Sequence, residues 1–270
     1  MTFHDAIHPP LPPPSAEETA AWLARMAEAL GDTPETVIAQ QWLREPTTEV
    51  LCVGDPSDLE AVILQSPSVP GEPAVFGSSV EAVASLIPHL TDWFALNVPL
   101  NLADELVSAV GEAAGVESVR MLDDIYHTLR RPVDASLFGG ARLLTMEDRD
   151  VIRRSAALLG GGVDRLLDTL AWGTVAGVVR SGLLVSVAYT FAETEGHADL
   201  GVVTRDDWRG QGLATMSAAL LCKAIQEGGR TPVWSTGGTN LPSLQVARKL
   251  GFQEVSRRVY LVPELEEDIP

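Results

Sequence analysis

Apolar positions along the chain change their period repeatedly, and each change marks an element. Ala20, Leu23, Met26 and Leu30 recur at helical spacing behind Ser15, Glu17 and Glu18, which predicts a first helix ending near Leu30, and a second is expected after Pro34. Apolar runs at residues 49–53 and 59–65, separated by the turn residues GDPSD, predict two strands. The pattern continues as a short strand AVFG, a helix over 79–86, a strand around WFALNV, a helix over 103–114 and a long strand over 118–129.

After Arg130, Arg131 and Pro132, the polar stretch VDASLFGG reads as a linker, and a similar series starts again. Helices are expected over 146–159 and 163–170, and strands over 174–179, 183–191 and 197–204. A helix over 212–227, a strand over 233–235, a helix over 240–250 and a closing strand over 252–262 complete the series. The alternation is that of a mixed-sheet α/β fold. Its repetition suggests a tandem of two related folds, divided as residues 1–132 and 133–270.

Composition narrows the partners. Of 270 residues 46% are apolar, enough for packed cores, and 19 Lys and Arg face 37 Asp and Glu, a formal charge of -18. Such a field repels nucleic acid and anionic lipid. The charge is uneven: residues 1–132 hold 5 basic and 20 acidic side chains, residues 133–270 hold 14 and 17. An anionic ligand therefore belongs with the second half. Cys52 and Cys222 lie apart in apolar segments and read as reduced, buried thiols, with no metal-binding spacing. The start MTFHDAIHPPLPPPS lacks the basic and apolar regions of a signal peptide, its prolines favour an extended lead, and no apolar run is long enough to span a membrane. These features predict a cytoplasmic protein.

The informative stretch is LGVVTRDDWRGQGLATMSAALLCKAI, from Leu200 to Ile225. A strand ends at Thr204, a loop with Gly210 and Gly212 follows, and a helix starts. Glycines let a backbone approach a ligand closely, and the first-turn N–H groups of a helix attract a pyrophosphate. Downstream, TNLPSLQVARKLGF runs from Thr239 to Phe252. Together the turn Arg209, Gly210, Gln211, Gly212, Leu213, Ala214 and the pair formed by Asn240 and KLGF resemble the two motifs of the GNAT superfamily of acyl-CoA N-acyltransferases. The resemblance covers residues 141–262 and is closest to bacterial members with an extra N-terminal domain.

That resemblance implies a GNAT fold in the C-terminal half, preceded by a smaller N-terminal domain that reads as a GNAT-like copy without its cofactor loop. It implies acetyl-CoA as co-substrate, a small primary amine as acceptor and no metal; a homodimer is left open. N–H groups from Gly210 to Ala214 would hold the pyrophosphate, with Arg209 opening the loop. The strand from Leu200 to Thr204 would pair with the pantetheine arm, and the Val202 N–H would receive the thioester carbonyl and its oxyanion. Asn240 and Ser243 would contact the cofactor arm, Asn240 also being a natural helix cap.

A protonated amine needs a base. Asp199 is the first candidate, because alternation puts it opposite Leu200 and Val202 and an acid among apolar strand residues needs a partner. His197, Glu193 and Glu195 fit a solvated turn better. Where many of these enzymes carry a tyrosine as acid for the leaving thiolate, this sequence has Ala247. Trp172, Trp208 and Trp234 flank the region and read first as packing residues. The rival to an enzyme is an acyl-CoA sensor, a module that keeps the cofactor site without acceptor chemistry.

Overall fold

The computed structural model describes residues 16–155 and 162–264. In chain order its helices and strands are α1 (Ala16–Leu30), α2 (Val37–Trp42), β1 (Glu49–Val53), β2 (Ala61–Gln65), β3 (Ala74–Gly77), α3 (Val80–Leu86), β4 (Leu96–Pro99), α4 (Ala103–Ala114), β5 (Val119–Thr128), β6 (Arg142–Leu143), α5 (Arg149–Arg154), α6 (Val163–Trp172), β7 (Val175–Arg180), β8 (Leu183–Glu193), β9 (His197–Thr204), α7 (Leu213–Glu227), β10 (Thr231–Gly237), α8 (Leu241–Leu250) and β11 (Gln253–Pro263). The mixed α/β architecture matches the expectation. The proline-rich lead and residues 156–159 of an expected helix lie outside the described residues. The part of that helix within them is a 3-10 turn, Met146–Asp148, followed by α5.

Two compact units divide the described residues. One holds those up to Ile125, with Gly237–Thr239 and the residues from Ser256 onward; the other holds Tyr126–Thr236 and Asn240–Val255. These units differ from a cut at Pro132. In the first, Arg258, Val259, Tyr260 and Leu261 of β11 pair antiparallel with β4. In the second, the Leu129 N–H donates to Pro232 O at 3.1 Å.

The element series repeats. In the first unit β1, β2 and β3 form an antiparallel meander, and α3 crosses over to β4, which runs parallel to β3. In the second, β7, β8 and β9 form the meander, and α7 crosses over to β10, parallel to β9. Parallel neighbours require such a crossover, and it leaves helices on the faces of the sheet.

Alternation then builds a core on each face. In the first unit Ile63, Val75 and Leu96 pack with Leu86 and Leu106 of α3 and α4, while Val62, Leu64 and Phe76 pack with Met26 and Trp42 of α1 and α2. In the second, Leu200 and Trp234 pack with Leu221 and Cys222 of α7 and Leu250 of α8, while Val175 and Val187 pack with Ile152 and Leu166 of α5 and α6. Both cysteines are buried free thiols.

Candidate active site

In the second unit the parallel ladder joins Thr231 to His197, Pro232 to Ala198 and Val233 to Asp199. Both strands then continue, β9 to Thr204 and β10 to Gly237, beyond the last paired residues. The strand pair is therefore forked, with main-chain groups lining one edge of β9.

Which groups line it follows from two hydrogen bonds. Gly196 O accepts from the Thr231 N–H at 2.8 Å, so even-numbered residues of this stretch face β10. The Arg205 N–H donates to Val185 O at 3.1 Å, so odd-numbered residues face β8. The N–H and C=O of Val202 and Thr204 consequently lie along the forked edge, and Val202 carries the first N–H beyond the last rung. Side chains alternate independently: Leu200 and Val202 join the α7 and α8 core, Val203 the α5 and α6 core.

Asp199 sits at the crotch of the fork. It is 3% exposed, and its carboxylate accepts from the Leu200 N–H at 2.9 Å and from Ser235 Oγ of β10 at 3.0 Å. The partner demanded by a buried acid is thus supplied from across the fork, and the same bond ties the two diverging strands together.

Sequence reasoning missed Tyr189. It faces Gly201 in the β8 and β9 register, and a Cβ at Gly201 would come within 2.7 Å of the Tyr189 hydroxyl. Only glycine lets that ring lie across β9. Burial pushes the Tyr189 hydroxyl up from its ordinary pKa, while the charge of Arg165 and its hydrogen bond pull the other way. Arg165 also stacks on Phe191, 4.7 Å from the ring centroid. The signal in the sequence was the glycine itself, since Gly inside a strand marks a close approach.

Beyond Thr204 the chain turns through Asp206–Trp208. Arg205 pairs with Asp207 at 2.9 Å and Arg209 with Asp206 at 2.8 Å; the second pair is exposed, and exposed pairs exchange partners at little cost. Gly210 and Gly212 have φ of +77° and +74°, a region that favours glycine, and among the described residues beyond the chain neighbours no atom lies within 4 Å of a Cβ built at either. Gly212 caps α7 without a side-chain hydrogen bond. The first-turn N–H groups of Leu213, Ala214 and Thr215 thus begin a 15-residue helix just behind two glycines whose Cβ positions are open among the described residues. Gln211 lies between those glycines, so the whole expected loop is brought together.

The residues of the second motif already hold partners within the fold. Asn240 is the N-cap of α8, its side chain accepting from the Ser243 N–H at 3.2 Å. Its amide Nδ2 is directed away from that capping bond by the planarity of the group. Ser243 Oγ accepts from Trp234 Nε1 at 2.9 Å, which fixes the hydroxyl from the β10 side. Ala247 is 1% exposed in the α7 and α8 core and offers no proton donor. Tyr260, on the last strand β11, belongs to the first unit.

The remaining candidates separate from the fork. Glu193 pairs with Arg230 at 3.5 Å, and the β8 and β9 turn is closed by the Thr194 N–H donating to His197 O and the His197 N–H donating to Thr194 Oγ1. Glu195 is exposed in that turn. Trp234 packs edge-on against Phe252 at 5.5 Å, Trp208 packs beside Leu213, and Trp172 is exposed at the end of α6. Among the described residues no group of three or more His, Cys, Asp or Glu side chains could hold a metal ion, and no helix is long and apolar enough to cross a membrane.

Comparison with known proteins agrees with this geometry. Residues 170–260 match the family model for GNAT acetyltransferases. No curated protein matches the sequence. Among solved structures, a GCN5-related N-acetyltransferase-like protein from Streptococcus suis 89/1591 is similar over 92% of this chain and 100% of its own, at 21% identity and a TM-score of 0.62. A GCN5-related N-acetyltransferase from Kribbella flavida is similar over 86% and 95%, at 14% identity and TM-score 0.62. A tandem GNAT protein from the clavulanic acid biosynthesis pathway is similar over 92% and 95%, at 16% identity and TM-score 0.54. At these identities the structures speak for the fold, and the family model for the site-bearing stretch. Residues 170–260 therefore match the GNAT acetyltransferase model, and the fold is that of the GNAT proteins to which the chain is similar.

Proposed function

We propose that the protein is a cytoplasmic N-acetyltransferase that moves an acetyl group from acetyl-CoA to a primary amine of a small molecule. The observation that carries this reading is the fork between β9 and β10, whose open edge runs from Val202 to Thr204 straight into the glycine loop and the N-terminus of α7. An amide-rich arm can add to such an edge as an extra strand, and a pyrophosphate suits the N–H groups from Gly210 to Ala214. Arg209 would exchange Asp206 for a phosphate. Asn240 and Ser243, on α8, would bind the arm from its other side.

In this reading the amine attacks the thioester carbon directly. The Val202 N–H stabilises the oxyanion of the tetrahedral intermediate, an interaction often worth about 3 kcal/mol. Asp199 takes the proton of the attacking ammonium, directly or through one water, and Ser235 holds the carboxylate toward the fork. Collapse breaks the C–S bond and releases CoA as thiolate. A thiol is a better leaving group than an amine, its ordinary pKa being about two units lower, so the alanine at 247 does not stop the reaction.

Ala247 is nevertheless the observation that favours a second reading, a non-catalytic acyl-CoA sensor. Acetyl-CoA-dependent thiol release with a panel of primary amines separates the two. The enzyme releases thiol with at least one amine and faster as pH rises, whereas a sensor binds acetyl-CoA tightly and releases none.

A further inference from the structure

The first unit also contains a forked parallel pair, and its fork is filled. Between β3 and β4 the register joins only Ala74 to Asn97, with the Asn97 N–H donating to Pro73 O at 2.9 Å. In a regular parallel ladder the next rung would run from the N–H of residue 99 to Val75 O. Residue 99 is proline and has no N–H to give.

Arg258 takes its place. It stands opposite Pro99 in the pairing of β11 with β4, and its side chain crosses to the fork. Nη2 donates to Val75 O and, at 3.1 Å, to Asn97 O; Nε donates to Asn97 Oδ1. The guanidinium carbon lies 4.4 Å from the centroid of the Phe76 ring. At 2% exposed, Arg258 heads the large fully buried side chains of the described residues. Asn97 Nδ2 donates in turn to Asp124 Oδ2 at 3.0 Å, placing a carboxylate in the same network. A buried guanidinium is costly unless its donors are matched, and two carbonyls of the fork, an amide oxygen and an aromatic face match it.

Counted from the last paired residues, Val75 corresponds to Leu200, Gly77 to Val202, and Pro99 to Ser235. The bond between Asp199 and Ser235 in the second unit is thus replaced by Ala74 and Pro99, neither able to make it. The loop differs too: only Gly77 and Ser78 precede Ser79, whose hydroxyl already accepts from the Ala82 N–H.

We infer that the first unit's fork is a second slot of the same kind, kept filled by the chain's own Arg258, so that it takes no acyl-CoA and becomes a site for an alkylguanidinium when that side chain is shortened. The word slot rests on the proposed reading of the second unit; the guanidinium site rests on the Arg258 contacts alone.

The test uses the full chain as wild type, Arg258→Ala and Arg258→Lys, with thermal unfolding followed in millimolar ethylguanidinium or ethylammonium and acetyl-CoA titrated by calorimetry. Both variants should melt several degrees below wild type, since an ammonium cannot bridge two carbonyls and an amide oxygen as a planar fork does. Ethylguanidinium should raise the melting temperature of Arg258→Ala, as a ligand of the folded state does, while ethylammonium leaves it unchanged and neither moves wild type. Wild type and variants should each bind one acetyl-CoA. Equal effects of the two cations on Arg258→Ala, or an Arg258→Lys protein as stable as wild type, would overturn the inference, the latter even if the alanine variant does not fold. A second acetyl-CoA site in wild type would overturn it as well. Guanidinium rescue without acetyl-CoA binding to any of the proteins would sustain the guanidinium site and remove the enzymatic reading.

Discussion

The two forks of this molecule begin alike and end differently. Each follows a parallel pair reached through a crossover helix, and each exposes main-chain groups where the ladder stops. In the second unit a carboxylate and a hydroxyl, Asp199 and Ser235, tie the crotch and leave the edge beyond it to main-chain N–H and C=O groups. In the first unit a guanidinium closes the crotch itself, donating to Val75 O and Asn97 O. The backbone fold supplies the fork in both units, and in the proposed reading a few side chains decide whether it takes a ligand or is satisfied from within. Polar main-chain groups left by a fork must find partners somewhere.

Substitutions can break that comparison. The largest effect is expected from proline scanning of β9. Val202→Pro removes an N–H that faces the forked edge, and Val203→Pro one that faces β8. Edge positions tolerate proline and ladder positions do not, so Val202→Pro should stay folded yet lose at least a hundredfold in turnover, about 2.7 kcal/mol of barrier. Val203→Pro should unfold well below it in temperature. Circular dichroism melts with thiol-release kinetics on both proteins would show a reversed order if the odd residues of β9, and not the even ones, faced the fork.

Next comes Asp199→Asn. It can still accept from the Ser235 hydroxyl but cannot take up a proton, so turnover should fall roughly ten- to a hundredfold, about 1.4 to 2.7 kcal/mol, with acetyl-CoA affinity unchanged. Part of the loss should return at high pH, where the amine is already deprotonated. A pH profile parallel to that of wild type would leave Asp199 only the strand-tying role.

Gly201→Ala should be smaller. The added methyl would meet the Tyr189 ring and hydroxyl, and overpacking of this kind costs about 1 to 3 kcal/mol. The double variant with Tyr189→Ala should recover part of that stability in a mutant cycle.

The smallest effect concerns alkaline pH and touches both units. Burial raises Cys222 and Tyr189 in the second unit, and burial with the charges of Asp124 and Glu72 raises Tyr260 in the first. Each group is held protonated by the folded state beyond its ordinary pKa of 9.0 for the thiol and 10.0 for the phenols. Stability from this source is therefore complete below about pH 9 and declines as pH rises above it, because only the unfolded chain ionises there. Urea titrations from pH 8 to pH 11 should show that decline, less steeply in Cys222→Ser.

Much of this was legible in the sequence. Period two placed Asp199 opposite Leu200 and Val202, and the glycine spacing placed the loop at the start of α7. What sequence could not supply was cross-strand neighbourhood. Alternation gives a residue its face but not the residue beside it, so the bond from Asp199 to Ser235 and the ring of Tyr189 across Gly201 appear only with the register. The Trp234 indole that donates to Ser243 lies on β10, nine residues away, and no local pattern announces it. Arg258 lies 183 residues from Val75 along the chain, and nothing local in SRRVYLVP says that this strand completes the first unit. A two-residue strand such as β6 is too short to leave a pattern at all.

On the proposed reading an acyl-CoA is held at the glycine turn before α7 and not at the corresponding turn before α3. Calorimetric titration of acetyl-CoA into wild type, Gly212→Asp and Ser79→Asp tests it most directly, since each variant puts one carboxylate at the N-cap of a crossover helix. The account predicts one site per chain in wild type, affinity reduced at least a hundredfold in Gly212→Asp, about 2.7 kcal/mol, and unchanged in Ser79→Asp, with all three proteins folded. Binding that survives Gly212→Asp, or disappears in Ser79→Asp, would contradict it.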